Sequence, residues 1–457
     1  MIINEKQMKK YIYIIPALLL LGSCKKFLAV EPKLNVDQSQ AIIDAGSAGT
    51  AANGLFNTLG SSGYYGENFP AISYLAGGDI QWTGSQADAS DINKHLTSST
   101  NGYILTAWTS IYETISQANY LIADIPKVVD PLFTTATRNQ YLGEAYFIRA
   151  LAYFDLARGW GGVQLILNPT TSPTDNTGIP RSTLANTYAQ VLKDLNTAET
   201  LVPTAINRNR VTQKTVWALK ARLYLYTQQW ALAEQYATQV ISDATDYSLV
   251  TPYSAFFANN VTDSKESIFE LAYTTSNTNG HSTWWLPPAL GGRREWAPNA
   301  NLVALLNNPA IGGNRSALIA QTVPPGNLWY GQLYYRQPLG TDPAYVIRLA
   351  ELYLIRSEAR AEQGNLGGSL SDLNAVRSRA GIPASTAATL GDLLLALEKE
   401  REVEFPFETD RFFNLVRTGR AQAVLSLPDT HLYLFPIPYS QTLVDPELAG
   451  ANTNPGY

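Results

Sequence analysis

Two stretches set 136 positions apart share one spacing of large and small side chains. Trp230-x-x-Ala233-x-x-Tyr236-Ala237-x-x-Val240 is matched by Leu366-x-x-Ser369-x-x-Asp372-Leu373-x-x-Val376. The segments before them align as well, Ala218 and Ala221 with Leu354 and Ser357. Residues three and four apart share one helical face, so each stretch reads as the second helix of an antiparallel pair. A large residue at the turn and small ones on the facing helices let the pair pack closely, as in a tetratricopeptide unit. The copies are degenerate and far apart, which predicts a mainly α scaffold with insertions and not a tandem array.

Further stripes extend the scaffold. Trp108, Ile111, Tyr112, Ile115, Ala118 and Ile122 define one helix, ended by Pro126. Tyr141, Ala145, Ile148, Ala152 and Leu156 define a second, broken at Gly159-Trp160-Gly161-Gly162, and Tyr188 to Leu201 a third, stopped at Pro203. Helices are also expected over Val216 to Thr227 and Trp230 to Ile241. Between the two matched pairs the chain changes character. Residues 280–345 hold eight Gly, eight Pro and four Trp in 66 positions, with little helical periodicity. Ser267 to Tyr273 reads as a strand. Gly54 to Ser90 reads as a second irregular stretch, carrying Tyr64, Tyr65, Phe69, Tyr74 and Trp82 among Gly and Ser. Long irregular segments inside a compact domain are commonly binding loops.

The single cysteine and three histidines (His95, His281, His431) narrow the chemistry. No disulfide can form within the chain, no cysteine-built metal site is possible, and no HExxH helix exists. A net charge of −5 with scattered Lys and Arg argues against a nucleic-acid partner. No phosphate loop or dinucleotide fingerprint is present. Gly46-Ser47-Ala48-Gly49 lacks the first glycine of a nucleophile elbow and reads as a flexible small-residue run. Asp88-x-x-Asp91-x-Asn93 lacks the alternation of a calcium loop and reads as a solvated turn. No catalytic, metal or cofactor residues are expected.

Cys24 has a context of its own. Lys6, Lys9 and Lys10 precede the apolar run Tyr11 to Leu21, too short for a spanning helix of roughly 20 residues. Its proportions are those of a secretory leader. Leu21-Gly22-Ser23-Cys24 closes it and resembles a bacterial lipobox, in which the cysteine is lipidated. The expected organisation is a signal peptide over residues 1–23, a lipidated tether over 24–40 and one domain over 41–457. Within that domain the scaffold covers about 104–245 and 345–420, and the loop-rich ligand region about 54–100 and 246–344.

Aromatic rings on the loops suggest the ligand. A sugar ring offers an apolar C–H face and a rim of hydroxyls; flat Trp and Tyr rings cover the face, and Arg bonds the rim. On this reasoning the candidate binding residues are Trp82, Trp284, Trp285 and Trp296, with Tyr65 assisting and Arg293 reaching hydroxyls. Trp329-Tyr330 and Tyr334-Tyr335 follow closely.

The order of motifs resembles the RagB/SusD family of nutrient-uptake outer-membrane lipoproteins of Bacteroidetes. The resemblance begins at the lipobox with Phe27-Leu28 and Pro32. It continues through Trp108-x3-Tyr112-x2-Ile115-x2-Ala118-Asn119 and Glu144-Ala145-x-Phe147-x-Arg149-Ala150-x2-Tyr153-Phe154. Arg348-x2-Glu351-x-Tyr353-Leu354, Leu373-Asn374-x-Val376-Arg377-x-Arg379-Ala380-Gly381 and Glu400-Arg401-x2-Glu404-Phe405 follow in order. So do Asp410-Arg411-Phe412-Phe413, Leu415-Val416-Arg417-Thr418-Gly419 and the closing Asn454-Pro455-Gly456-Tyr457. These motifs mark structure; Glu144, Arg149 and Arg411 are expected to bond within the scaffold. The resemblance implies four tetratricopeptide-like helix pairs and no enzymatic activity. It further implies a partner, a SusC-like TonB-dependent outer-membrane transporter to which the protein passes captured oligosaccharide. Lys25-Lys26 departs from the acidic residues that often follow the lipidated cysteine, and Asn414 and Thr453 are milder departures. A peptide-binding relative on the same scaffold, and a glycoside hydrolase with facing carboxylates, stay open as alternatives.

Overall fold

The computed structural model describes residues 42–172 and 174–457. The leader, the tether and Cys24 lie outside the described residues.

Fourteen helices carry most of the architecture. The first three are α1 (Ala45–Leu59), α2 (Asn68–Ala76) and α3 (Ala87–Asn93), with strand β1 (Ile80–Trp82) between α2 and α3. The scaffold proper follows as α4 (Gly102–Asp124), α5 (Thr135–Trp160), α6 (Leu184–Leu201), α7 (Gln213–Tyr226) and α8 (Trp230–Ile241). The middle of the chain holds β2 (Ser267–Leu271), α9 (His281–Trp285), β3 (Trp296–Pro298), α10 (Ala300–Asn307), β4 (Ile319–Gln321), β5 (Trp329–Gly331) and β6 (Ala344–Arg348). The scaffold resumes with α11 (Leu349–Glu362), α12 (Leu366–Arg379), α13 (Leu390–Glu404) and α14 (Arg411–Arg417). The chain is mainly helical, as its stripes predict.

Scaffold helices start where short polar residues supply caps. Asn101, Thr134, Thr183, Thr212, Asn365 and Thr389 each accept a first-turn N–H of α4, α5, α6, α7, α12 and α13. Neighbours then pack in series: α4 on α5, α5 on α6, α7 on α8, α8 on α11, and α11 on α12. The two matched pairs meet through the same positions. Ala221 and Ala233 are fully buried in one, and Ser357 and Ser369 in the other, where the Ser357 hydroxyl donates to the Ser369 carbonyl at 2.7 Å. The family-motif polar groups are scaffold bonds. Arg149 grips both oxygens of Asp194 at 2.8 Å, and Glu144 pairs with Arg210.

The early segment departs from its expected irregularity. Gly46 to Gly49 forms the first turn of α1, not a flexible run, because Asp44 and Ser47 cap each other and Ala48, Ala52, Leu55 and Leu59 share a buried stripe. All residues of α2 from Phe69 to Ala76 are buried. The strand expected from Ser267 ends at Leu271 and pairs antiparallel with β6.

The middle region is fastened to the scaffold by charge. Arg348 ends β6 and donates to Glu266 at 2.6 Å, Glu404 at 3.0 Å and Glu408 at 2.7 Å. Arg315, from the turn before β4, donates to Glu404 at 2.7 Å and also reaches Glu400. Arg379 adds bonds to Glu404 and Glu266, and Arg377 one to Glu400 at 2.8 Å. Four arginines thus face four glutamates, and Glu404 at the centre is fully buried. Burial alone would raise its carboxyl, but Arg379, Arg315 and Arg348 together hold it down to about 2. Its stabilising effect is therefore full above the ordinary value of 4.5 and is lost as pH falls from there toward 2. Replacing Glu404 by Gln leaves three buried guanidinium groups short of a counter-charge. Denaturant titration should show a loss of about 3–5 kcal/mol at neutral pH, with a smaller dependence of stability on pH along the acid limb.

Candidate functional site

The site grows from a two-stranded ladder. β1 and β3 run antiparallel with Ile80 opposite Pro298, Gln81 opposite Ala297 and Trp82 opposite Trp296. Asn93 holds β1 in place: its Oδ1 accepts the Trp82 N–H at 3.1 Å, and its Nδ2 donates to the carbonyls of Ile80 and Leu75. The ladder continues through Thr83, whose N–H donates to the Glu295 carbonyl at 2.9 Å. Asp88, of the same short motif, accepts the Gly102 N–H and so joins α3 to the start of α4. The motif expected to be a solvated turn is thus helix α3, with Ala89 and Ile92 buried and its polar residues bonded to β1 and to the start of α4.

Behind the ladder lies a slab of rings. Trp284 stacks on Trp296 at 5.6 Å between centroids, and Trp285 meets Trp296 edge-on at 5.5 Å. Tyr74 and Phe407 complete the inner side, touching Trp285 at 5.4 and 4.7 Å. Trp285 is 1% exposed and Trp296 is fully buried. Neither can stack on a ligand, because both rings are buried. Tyr65 is also removed from the candidates. It is 2% exposed, its hydroxyl donates to Asp155 at 2.9 Å, and its carbonyl accepts a bond from His281.

Two candidates reach the surface, Trp82 and Arg293, and the buried Trp284 lies between them. Trp82 is half-buried and leans on Trp284 at 6.2 Å, with the rings inclined by 44°. Trp284 is 9% exposed, and the Arg293 guanidinium lies 4.8 Å above its ring. Arg293 is exposed and pairs with Glu295 at 2.7 Å. Two carboxylates and a phenol, not foreseen from the sequence, join them. Glu67 lies beside Trp284 and Arg293, and burial raises its carboxyl against their opposing pull. Tyr103, in the first turn of α4, donates to Gln86 at 2.7 Å; burial, with Glu67 and Glu295 nearby, pushes its phenol up to about 12. The sequence signal for Tyr103 was faint: an aromatic one residue after a cap position, outside the helix's buried stripe.

The indole N–H groups of Trp82, Trp285 and Trp296 and Glu295 Oε2 are buried without a hydrogen-bond partner among the described residues. Trp82 and Glu295 flank Gly84, and a Cβ there would stand 2.4 Å from the Trp82 ring and 2.7 Å from Glu295 Oε2. The chain can pass between ring and carboxylate only without a side chain. No group of residues suited to holding a metal ion occurs among the described residues.

This arrangement is an aromatic shelf with a charged rim, displayed on a helical scaffold. A family profile described as starch-binding associating with outer membrane matches residues 26–225, and the SusD family profile matches residues 331–431. The chain belongs to the SusD/RagB family. SusD-like proteins as a class bind glycans. The SusD-like protein P38 of Formosa agariphila is 25% identical over 465 residues, covering 89% of this chain and 90% of its own. A SusD superfamily protein of Bacteroides vulgatus superposes with a TM-score of 0.81 at 21% identity, over 91% of this chain and 99% of the other. A laminarin-binding SusD-like protein superposes with a TM-score of 0.78 at 22% identity, over 91% and 100%. The profiles of this SusD-like chain include Trp82 and Tyr103 but stop short of Trp284, Glu295 and Arg293. No helix among the described residues is long and apolar enough to cross a membrane.

Substitution should separate shelf from support. Trp296→Ala empties the centre of the slab and should cost about 3–5 kcal/mol in denaturant titration. Trp82→Ala, at the outer edge, should cost clearly less and leave a cooperative transition.

Proposed function

We propose that this chain captures an oligosaccharide on the shelf of Trp82, backed by the buried Trp284. In this reading the ligand passes to a SusC-like TonB-dependent transporter, and a lipid on Cys24 holds the protein to the outer membrane, facing the cell surface. The observation that carries the proposal is the joint presence of a half-buried Trp82 ring and an exposed Arg293 around Trp284. Trp82 offers an apolar face to a sugar ring. Arg293, Glu295 and Tyr103 surround it with donors and acceptors for hydroxyls. Arg293 is already neutralised by Glu295, which suits an uncharged glycan better than an anion. The role is binding without catalysis. Glu295, the carboxylate beside Trp82, is held in an ion pair with Arg293.

Calorimetry against a glycan panel that includes laminarin, with a peptide library alongside, tests the ligand class. Trp82→Ala and Arg293→Ala should each weaken glycan binding about tenfold or more, or about 1.4 kcal/mol, while the unfolding midpoint barely moves. Unchanged affinity in both variants removes the shelf from consideration, and binding to peptides alone replaces the ligand class. For the anchor, Cys24→Ala in cells should shift the protein from the membrane to the soluble fraction and abolish labelling by a fatty-acid probe. Retention on the membrane without label would overturn the lipid assignment.

A further inference from the structure

A second polar cleft opens on the far side of the segment that carries Glu67. It has a volume of about 210 Å³ and is walled by α1, the turn before α7 and the chain after β2. Asn53 and Asn57 project from α1 one helical turn apart, and both are exposed. Asn277 faces them from across the cleft, Phe56 forms the floor and the buried Tyr273 closes one end, its hydroxyl bonded to the Gly60 carbonyl at 2.9 Å.

The amides are oriented before any ligand arrives. Arg210 can only donate, and it donates to Asn53 Oδ1 at 2.8 Å, so the Asn53 N–H₂ group is turned outward. Asn277 bonds Asn57 at 3.1 Å. Whichever way that pair is turned, one N–H₂ and one C=O are left over. With Asn209 Oδ1, which also has no partner, the cleft thus keeps two donor groups and two acceptors without protein partners among the described residues. The charge of Arg210 is cancelled. Its guanidinium lies 4.4 Å over Phe56 and is gripped by both oxygens of Glu144.

We infer that this cleft is a second carbohydrate site, taking a single neutral sugar ring against Asn53, Asn57 and Asn277. An anion would call for an unpaired cation, and none lines the cleft. A drug-sized apolar molecule would need roughly 300–1,000 Å³, whereas one pyranose needs much less. Vicinal hydroxyls act as donor and acceptor together, as the leftover amide groups require. The site is separate from the tryptophan shelf yet tied to it. The chain runs from Gly60 in the cleft to Glu67 at the shelf, and from Asn277 to Trp284, and the two runs are joined where the Gly280 N–H meets the Gly66 carbonyl at 3.1 Å. Seven residues span at most about 25 Å, which bounds the separation of the two sites.

Saturation-transfer NMR on the chain without its leader tests this, with glucose, galactose, mannose and xylose as separate probes at millimolar concentration and glucuronate as an anionic control. At least one neutral sugar should give a transfer signal in the wild type and in Trp82→Ala. The signal that remains in Trp82→Ala should fall at least tenfold when Asn53→Ala and Asn57→Ala are added to it, both being exposed helical positions that tolerate alanine. No signal from any neutral sugar, a signal in Trp82→Ala that survives the two added changes, or one lost in Trp82→Ala alone would each overturn the assignment. Tighter binding of glucuronate than of glucose would overturn its neutral character.

Discussion

Arg348 fastens the loop-rich half of the molecule to the helices. It ends β6, begins α11, and bonds carboxylates that arrive from the approach to β2, from α13 and from the turn beyond α13. Such a cluster is expensive to bury and does not by itself argue for high stability. Its value lies in direction: a guanidinium fork fixes the angle as well as the distance of each partner. A chain with no disulfide among its described residues thereby gains cross-links between segments far apart in sequence.

With that frame fixed, the shelf needs little structure of its own. β1 and β3 are three residues each, and they meet because Asn93 and Thr83 extend the pairing beyond the ladder. Trp284 and Trp285 are neighbours on a helix of five residues, so their side chains point about 100° apart. One therefore faces inward while the other borders the surface. The inner rings give the outer ones a rigid backing.

The scaffold was legible in the sequence because helices announce themselves twice, by a stripe of period 3.6 and by a capping residue. Even the contact between paired helices showed, since Ala221 with Ala233 and Ser357 with Ser369 are the small residues that close packing demands. The early helices were missed because glycine and alanine dilute the stripe, and the capping pair Asp44 and Ser47 resembles a turn. The aromatic residues could be counted but not sorted. A tryptophan that stacks on another tryptophan has the same one-dimensional surroundings as one that stacks on a ligand, and burial is settled by partners more than two hundred residues away. Trp82 and Trp296 are such partners, and of the two only Trp82 keeps an open side.

That separation has a consequence for how the molecule assembles. Most scaffold helices touch their sequence neighbours, whereas the ladder under the shelf joins Gln81 to Ala297 across most of the scaffold's length. Closing so long a loop costs entropy that only a few backbone bonds and ring contacts repay, as it also does where α8 meets α11 and β2 meets β6. The strands of the ladder are three residues each, so a few backbone hydrogen bonds, and not a long sheet, hold the surface proposed to meet the ligand.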